Sequence, residues 1–252
     1  MPITKAVIMA GGAGQRLAPL SDYIPKCYLP IYDKPLLVKQ IEWLQMAGVK
    51  DIILTINDKF YSIINTIIQN IVFDNINLDI VAEAGIPGIA RSLLSLEDKL
   101  NEESFFFLFG DEYFDDPLFF KQIGSLGKRV NILGVTSYSN IQQITQGCNL
   151  ILDEERKQVI ELVEKPGVKD IISSWCWNGA AVFEKSIIKE IRRLMENNCV
   201  GVTNKILIDA INEFIKKGNK FEYIKDNSNN INLSSLEDYY NAFRLEYEAR
   251  IR

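Results

Sequence analysis

The feature that most constrains this chain lies at its start. An apolar run, residues 3–10, opens directly into Gly11-Gly12-Ala13-Gly14-Gln15-Arg16-Leu17. The run reads as a buried first strand that enters a loop. Glycines let a backbone turn tightly and bring its N–H groups close to an anion. Arg16 adds a forked, permanently charged donor suited to phosphate oxygens. Pro25-Lys26 follow a short way on and can return a second cation over the same phosphates. Two common glycine motifs do not fit. A Walker loop ends in G-K-[ST], which is absent, and the dinucleotide fingerprint needs a third glycine where Leu17 stands.

Composition narrows the chemistry. The chain has 252 residues and no histidine, so histidine triads, histidine bases and histidine metal ligands are excluded. Carboxylates, lysine, arginine, backbone amides and metal ions remain. The net charge of -5 gives no general attraction for nucleic acid or an anionic membrane, so phosphate binding must be local. Cys27, Cys148, Cys176 and Cys199 include no C-x-x-C pair, which argues against a zinc cluster. Free thiols, no leader-like N-terminus and no membrane-length apolar run suggest a cytoplasmic protein.

Strands and helices alternate through the first half. Residues 3–10, 51–56, 78–82, 105–109 and 130–135 read as strands. Between them, helices are expected after Pro35, over 59–71 with Ile63, Ile67 and Ile71 on one face, over 88–100, and after Asp116-Pro117. Asp115 and Asp116 read as capping residues rather than ligands. In the second half, 149–152 and 159–163 form a strand pair around the turn 153–157. A strand at 180–183 and helices over 185–195 and 202–217 follow. Ser234-Ser235-Leu236-Glu237 resembles a capping box that opens a last helix. This pattern predicts an α/β chain, a Rossmann-like three-layer sandwich with a mostly parallel mixed sheet. No linker or repeat divides it. We expect one domain over 1–252, with a nucleotide-binding half at 1–135 and a sugar-phosphate-binding half at 136–252.

The run AGGAGQRLAPLSDYIPK, residues 10–26, resembles the N-terminal motif of the sugar-1-phosphate nucleotidyltransferases. The segment LPIYDKP, residues 29–35, is similar to the form in glucose-1-phosphate thymidylyltransferases, and the resemblance extends along nearly the whole chain. It implies that Ala10, Gly11, Gly12 and Gly14 wrap a triphosphate. It also implies that Arg16 and Lys26 stabilise the charge that develops as pyrophosphate departs. Gly88-Ile89-Ala90 resembles the family's second nucleotide-binding segment. Five residues before Gly88, thymidylyl and uridylyl members carry glutamine, but Glu83 stands here. An ionised glutamate only accepts hydrogen bonds, which suits the N1–H and N2–H2 donors of guanine.

Asp111 follows an apolar strand and Gly110, at the strand end where open α/β sheets bind ligands. The resemblance makes it the ligand of a catalytic Mg2+, which needs only one or two carboxylates beside phosphate oxygens. Gly147, Glu164-Lys165-Pro166 and Asn178-Gly179 match segments that hold the sugar phosphate, with Trp175 or Trp177 as packing residues or a flank for the sugar. Thr203-Asn204 resembles the family's threonine-aspartate at a helix start. The family's second metal-binding aspartate aligns without a gap to Asn232, and Asp226 becomes the ligand if the loop takes another path.

The resemblance implies nucleotidyl transfer from a nucleoside triphosphate to a sugar 1-phosphate. The Tyr-Asp-Lys-Pro and Gly-Ile-Ala segments favour dTTP or UTP, whereas Glu83 favours GTP; CTP is the other alternative. A regulatory subunit that keeps the fold without catalysis is the reading that Asn232 alone supports. A glycosyltransferase would need no triphosphate loop. No nucleic-acid or membrane partner is expected. Tyr239, Phe243 and Tyr247, spaced along the last helix, are candidates for a homo-oligomer contact.

Overall fold

Apolar runs separated by amphipathic stretches become strands separated by helices. The computed structural model describes residues 2–71, 73–83, 88–100, 104–126, 131–197 and 205–251. Strand β1 (Lys5–Ala10) leads through the glycine loop to a short helix α1 (Leu20–Tyr23). The two-residue strands β2 (Pro30–Ile31) and β3 (Lys34–Pro35) pair before α2 (Leu36–Met46). Then come β4 (Asp51–Asn57), α3 (Asp58–Gln69), β5 (Asn77–Glu83) and α4 (Ile89–Ser95). They are followed by β6 (Ser104–Phe109), β7 (Glu112–Phe114), α5 (Leu118–Ser125) and β8 (Asn131–Ser137). The second half carries α6 (Ile141–Gln146), β9 (Cys148–Asp153), β10 (Gln158–Glu164), β11 (Trp175–Glu184) and α7 (Ser186–Asn197). It ends with α8 (Lys205–Lys216), β12 (Phe221–Lys225), β13 (Asn230–Asn232) and α9 (Leu236–Ile251). Among the described residues no helix is long and apolar enough to cross a membrane.

The chain divides into two compact units, each discontinuous in sequence. The first comprises Pro2–Pro87, Phe107–Leu126 and Ser228–Arg252. Its strands run in the order β5-β4-β1, with β6 beside β1. The β1–β4 and β4–β5 pairs are parallel, from Lys5 opposite Asp51 to Asn57 opposite Glu83. Ala6, Val7 and Ile8 are all buried, so β1 is covered on both faces, as expected for a parallel strand between helical layers. This register brings the C-terminal ends of β1, β4 and β5 to one edge. Separately, β7 and β13 form an antiparallel pair. Helix α9 is fixed to the same unit by Lys39, which is 4% exposed and bonds both Asp33 (3.0 Å) and Glu246 (2.8 Å). Tyr113 Oη also donates to Glu246, and Arg250 pairs with Glu246 and Asp33. On its outer side Phe243 and Tyr247 pack edge-on against Tyr32 and stay partly exposed.

The second unit comprises Gly88–Phe106 and Gly127–Asn227. Its strands lie in the order β11-β8-β12-β10-β9. Here β12 and β8 are parallel and the other pairs antiparallel. The α/β, mixed-sheet expectation therefore describes the chain, with the parallel pairs concentrated in the first unit.

Several local expectations need correction. In α3 the buried face is Phe60, Ile64 and Ile68, whereas Ile63 is exposed. Isoleucines fill two adjacent helical stripes, and the aromatic Phe60 decides which one turns inward. Helix α4 stops at Ser95 rather than running to 100, where Ser92 and Ser95 bond carbonyls of their own helix. The box that opens α9 uses Ser235 and Asp238, not Ser234 and Glu237: Ser235 Oγ accepts from Asp238 N, and Asp238 Oδ2 accepts from both serine hydroxyls. Asp116 does cap α5 through Leu118 N, but Asp115 instead accepts from Asn229. Val130, Cys199, residues 202 to 204 and their expected roles lie outside the described residues.

Candidate functional site

In the first unit the glycine loop is built by close approach. Gly14 has φ +67°, in the left-handed region, and a Cβ there would lie 3.0 Å from Ser21 Cβ and 3.1 Å from Lys26 Cγ. Glycine is required on both counts. The Lys26 side chain thus runs against the loop, and its Nζ donates to Asp111 Oδ2 at 3.0 Å. Asp111 is brought there by Gly110. A Cβ on Gly110 would stand 2.6 Å from Ala10 Cβ and 3.1 Å from the Met9 carbonyl oxygen, and Gly110 N donates to that oxygen at 2.8 Å. Loop, lysine and aspartate are one arrangement. Leu17 anchors the far side of the loop in the core. Arg16 is exposed and makes no hydrogen bond or ion pair among the described residues, so its fork is open to a ligand. Gly12 is exposed, and a Cβ there would meet no atom within 4 Å, so its backbone is approachable. Cys27, beside this cluster, is no nucleophile: burial, then the Asp111 charge, pushes its thiol up to about 12.

Around Asp111 stands a polar brace. Gln40, fully buried on α2, donates through Nε2 to the carbonyl oxygens of Phe109 (3.0 Å) and Glu112 (2.9 Å). These carbonyls bracket the Gly110-Asp111 turn. The Gln40 Oε1 atom is buried with no partner, but turning the amide over would set that oxygen against two carbonyls. Leu233 N donates to Asp111 O at 2.7 Å, and β13 sets Asn232 opposite Glu112. Glu112 is 6% exposed, and its two carboxylate oxygens accept from Asn232 Nδ2 (2.8 Å) and Asn230 Nδ2 (3.0 Å). Burial, and then the neighbouring Asp111 charge, push the Glu112 carboxyl up to about 8, against the downward pull of the two amides and Lys26. Among the described residues no group of three or more His, Cys, Asp or Glu side chains could hold a metal ion unaided. The oxygens on offer are those of Asp111 and the Asn232 amide, hard donors of the kind that Mg2+ shares with phosphates.

Glu83 ends β5 at the same strand-end edge. Its carboxylate lies against Gly11, where a Cβ would sit 1.9 Å from Glu83 Oε2. Its Oε1 is buried and unpartnered. A buried carboxylate oxygen without a donor is costly, so this position calls for N–H groups.

The remaining expected residues belong to the second unit. Glu164 pairs with Cys148 in the β9–β10 ladder, and Lys165 N donates to Gly147 O at 2.9 Å. Gly147, Glu164 and Lys165 are therefore neighbours. Lys165 has φ +45°, an uncommon backbone state for a side-chain-bearing residue. Its Nζ lies 3.8 Å from Glu164, whose carboxyl burial raises and Lys165 lowers, with a net rise. Asn178 and Gly179 form a bulge in β11, where the register against β8 shifts between Trp177 and Ala181 and Gly179 has φ +85°. Asn178 is buried, its Nδ2 donating to Asp226 (3.0 Å) and its Oδ1 accepting from Ala180 N. Asp226 is thus held on Asn178 within the second unit. Trp177 is buried and bonds Ala180 O, whereas Trp175 lies under Lys225 Nζ at 4.6 Å. Gly88 precedes α4 and accepts from Ser92 N and Oγ.

Sequence reasoning missed Gln40, Glu112 and Asn230. Gln40 sits among apolar residues on a helix, a polar residue at a core position, and that was the available signal. Glu112 follows Asp111 directly, but its burial depends on β13, far along the chain.

The family model described as Nucleotidyl transferase matches residues 5–246. A mannose-1-phosphate guanyltransferase of Yarrowia lipolytica is 28% identical over 164 residues, covering 64% of this chain and 45% of that protein. A glucose-1-phosphate thymidylyltransferase of Mycolicibacterium smegmatis is 30% identical over 113 residues, covering 45% of this chain and 39% of that protein. The chain spans less than half the length of these curated relatives. A solved structure of UDP-glucose pyrophosphorylase complexed with UDP-glucose shares the fold, with TM-score 0.84 at 21% identity over 98% of this chain and 100% of that one. Since the family match runs from β1 into α9 and takes in both the glycine loop and Asp111, the chain belongs to the nucleotidyl transferase family.

Proposed function

We propose that this protein transfers a nucleotidyl group from a nucleoside triphosphate to a sugar 1-phosphate and releases pyrophosphate. The observation that carries the reading is the Lys26–Asp111 pair against a glycine loop with a free Arg16. An oxygen of the sugar phosphate attacks the α-phosphorus; the new P–O bond forms as the α–β bridging bond breaks, and pyrophosphate leaves with that bonding pair. The nucleophile is already an anion, so neither histidine nor a covalent intermediate is needed. Catalysis then consists of positioning and charge neutralisation: Arg16 and Lys26 neutralise the triphosphate, Lys165 contacts the sugar's phosphate and Glu164 accepts hydrogen bonds from the sugar hydroxyls. Asp111 and Asn232 would hold Mg2+ with phosphate oxygens, and the ion when bound would neutralise phosphate charge.

For the base, the 29–35 segment and Gly88-Ile89-Ala90 support dTTP or UTP. The unpartnered oxygen of Glu83 favours a second reading, GTP, because guanine offers two adjacent donors and uracil or thymine only one. A cytoplasmic setting suits the buried free thiols Cys27, Cys148 and Cys176. The test is pyrophosphate release from each of five nucleoside triphosphates against a panel of sugar 1-phosphates. A preference for dTTP or UTP retires the guanine reading; no release from any pair overturns the function.

A further inference from the structure

At position 232 the sequence carries an amide where the resemblance calls for a charged ligand. The structure holds a carboxylate one hydrogen bond away. Asn232 and Glu112 are ladder partners, and Asn232 Nδ2 donates to Glu112 Oε1 at 2.8 Å. Asn230 Nδ2 occupies the other oxygen at 3.0 Å. Both carboxylate oxygens are thereby engaged by donors. Flipping the Asn232 amide would set its carbonyl oxygen against Glu112. The hydrogen bond therefore decides which end of the amide is left over. That end is Oδ1, on an exposed residue, and it accepts no hydrogen bond among the described residues. Leu233 N, next along the chain, bonds Asp111 O, so Asn232 stands beside Asp111 in the backbone framework.

We propose that Glu112 is a positioning residue for a divalent cation: it holds the Asn232 amide with the carbonyl oxygen outward, next to Asp111 in the backbone framework. The inference rests on the function proposed above. Glu112 need not touch the ion, because partners behind a ligand orient it and tune its donor strength.

The test is Mn2+ titration of the folded protein, with free Mn2+ followed by electron paramagnetic resonance, alone and with a triphosphate bridged by methylene between its α- and β-phosphorus. Glu112→Gln keeps the shape but must present an N–H2 to one of the two amides, which turns that amide over. Mn2+ affinity should fall about 10- to 100-fold. Adding Asn232→Asp to Glu112→Gln gives the new amide at 112 an acceptor across the same hydrogen bond and leaves a carboxylate oxygen facing outward, and it should recover most of the loss. A role in folding alone would give no such rescue. In pyrophosphate release, Glu112→Gln should raise the Mg2+ concentration needed for half-maximal rate more than it lowers kcat. Unchanged Mn2+ affinity in Glu112→Gln, or a double variant no better than it, overturns the proposal, as does a wild type that binds no Mn2+. If Glu112→Gln fails to fold, Asn232→Ala at the exposed edge must lower Mn2+ affinity by a similar factor, and an unchanged affinity there is equally fatal. A wild type that releases pyrophosphate while Glu112→Gln binds Mn2+ normally defeats this inference alone. A wild type that binds Mn2+ as described but releases no pyrophosphate defeats the function instead.

Discussion

Replacing Gly110 with alanine tests how tightly the aspartate turn is seated against the phosphate loop. The new Cβ would meet Ala10 Cβ at 2.6 Å, Ala10 Cα at 3.0 Å and Met9 O at 3.1 Å. Carbon atoms are comfortable at about 3.5–4.0 Å, so the turn must retreat by about 1 Å. None of the opposing atoms is the end of a rotatable side chain, so the backbone itself has to move. Overpacking of this kind costs about 1–3 kcal/mol. For a chain of this length that is on the order of 2–10 °C in Tm. The kinetic effect should be larger in proportion. A displacement of about 1 Å at a reacting centre costs on the order of 100-fold in rate, about 2.7 kcal/mol of barrier. Thermal denaturation and continuous pyrophosphate release measure the two effects. Adding Ala10→Gly removes the 2.6 Å contact and leaves only the two milder ones, so the double variant should regain much of both losses. A Gly110→Ala protein with wild-type turnover would refute the idea that this contact sets the position of Asp111.

Three further outcomes are expected. Lys26→Ala or Asp111→Asn should lower pyrophosphate release by at least about 100-fold while circular dichroism stays native, since each removes charge stabilisation rather than core packing; near-normal release in either would sink the proposed chemistry. Gln40→Leu should destabilise by on the order of 1–3 kcal/mol in urea unfolding, because two buried carbonyls lose their donor while the orphaned Gln40 Oε1 disappears; a neutral result would mean the brace contributes nothing. Lys39→Met should cost on the order of 1–3 kcal/mol near neutral pH, because Asp33 and Glu246 lose a buried charged donor and are left to Arg250 and, for Glu246, Tyr113. Burial pushes those two carboxyls up, but the hydrogen bond and charge of Lys39, together with Arg250 at both and the Tyr113 hydroxyl at Glu246, hold both below their usual range. Depressed carboxyls lend stability above their unfolded values of about 4, and that stability is lost as pH falls through the lower folded values. The gap between wild type and Lys39→Met should therefore narrow below about pH 4; a gap that stays constant with pH would rule out the ion cluster as its source.

What could be read in advance follows the range of the forces involved. The glycine loop, β1 and the alternation through β6 rest on local periodicity and on residues close in sequence, and these were legible. The buried side of α3 was not, because isoleucine fills both candidate stripes and only packing distinguishes them. Strand β12 (Phe221–Lys225) was missed because one short stretch with a charge at each of two positions carries little period-2 signal. At the site, Arg16, Lys26 and Asp111 announce themselves by residue type, and the structure brings Lys26 and Asp111 together. Gln40 and Glu112 do not, because their meaning comes from partners on other elements: two carbonyls of a turn for Gln40, two amides of β13 for Glu112. Asn178 has partners that its sequence context does not announce: its amide engages Asp226 and the Ala180 N–H.

The pairing of β7 with β13 has a consequence in time. Glu112 and Asn230 are 118 residues apart, yet they share a hydrogen bond. A ribosome adding about 5–20 residues per second needs roughly 6–24 s to travel that distance. Throughout that interval the nascent chain already holds its phosphate loop, β6 and Asp111, but β7 has an open edge and Glu112 has neither of its amides. Such an edge is a natural landing place for a chaperone and a hazard for self-association. Long-range closures of this kind are also slow to form. The corner that holds Asp111 is thus among the last parts of the molecule to acquire its final surroundings, so newly made chains should pass through a stage that is largely folded but not yet competent.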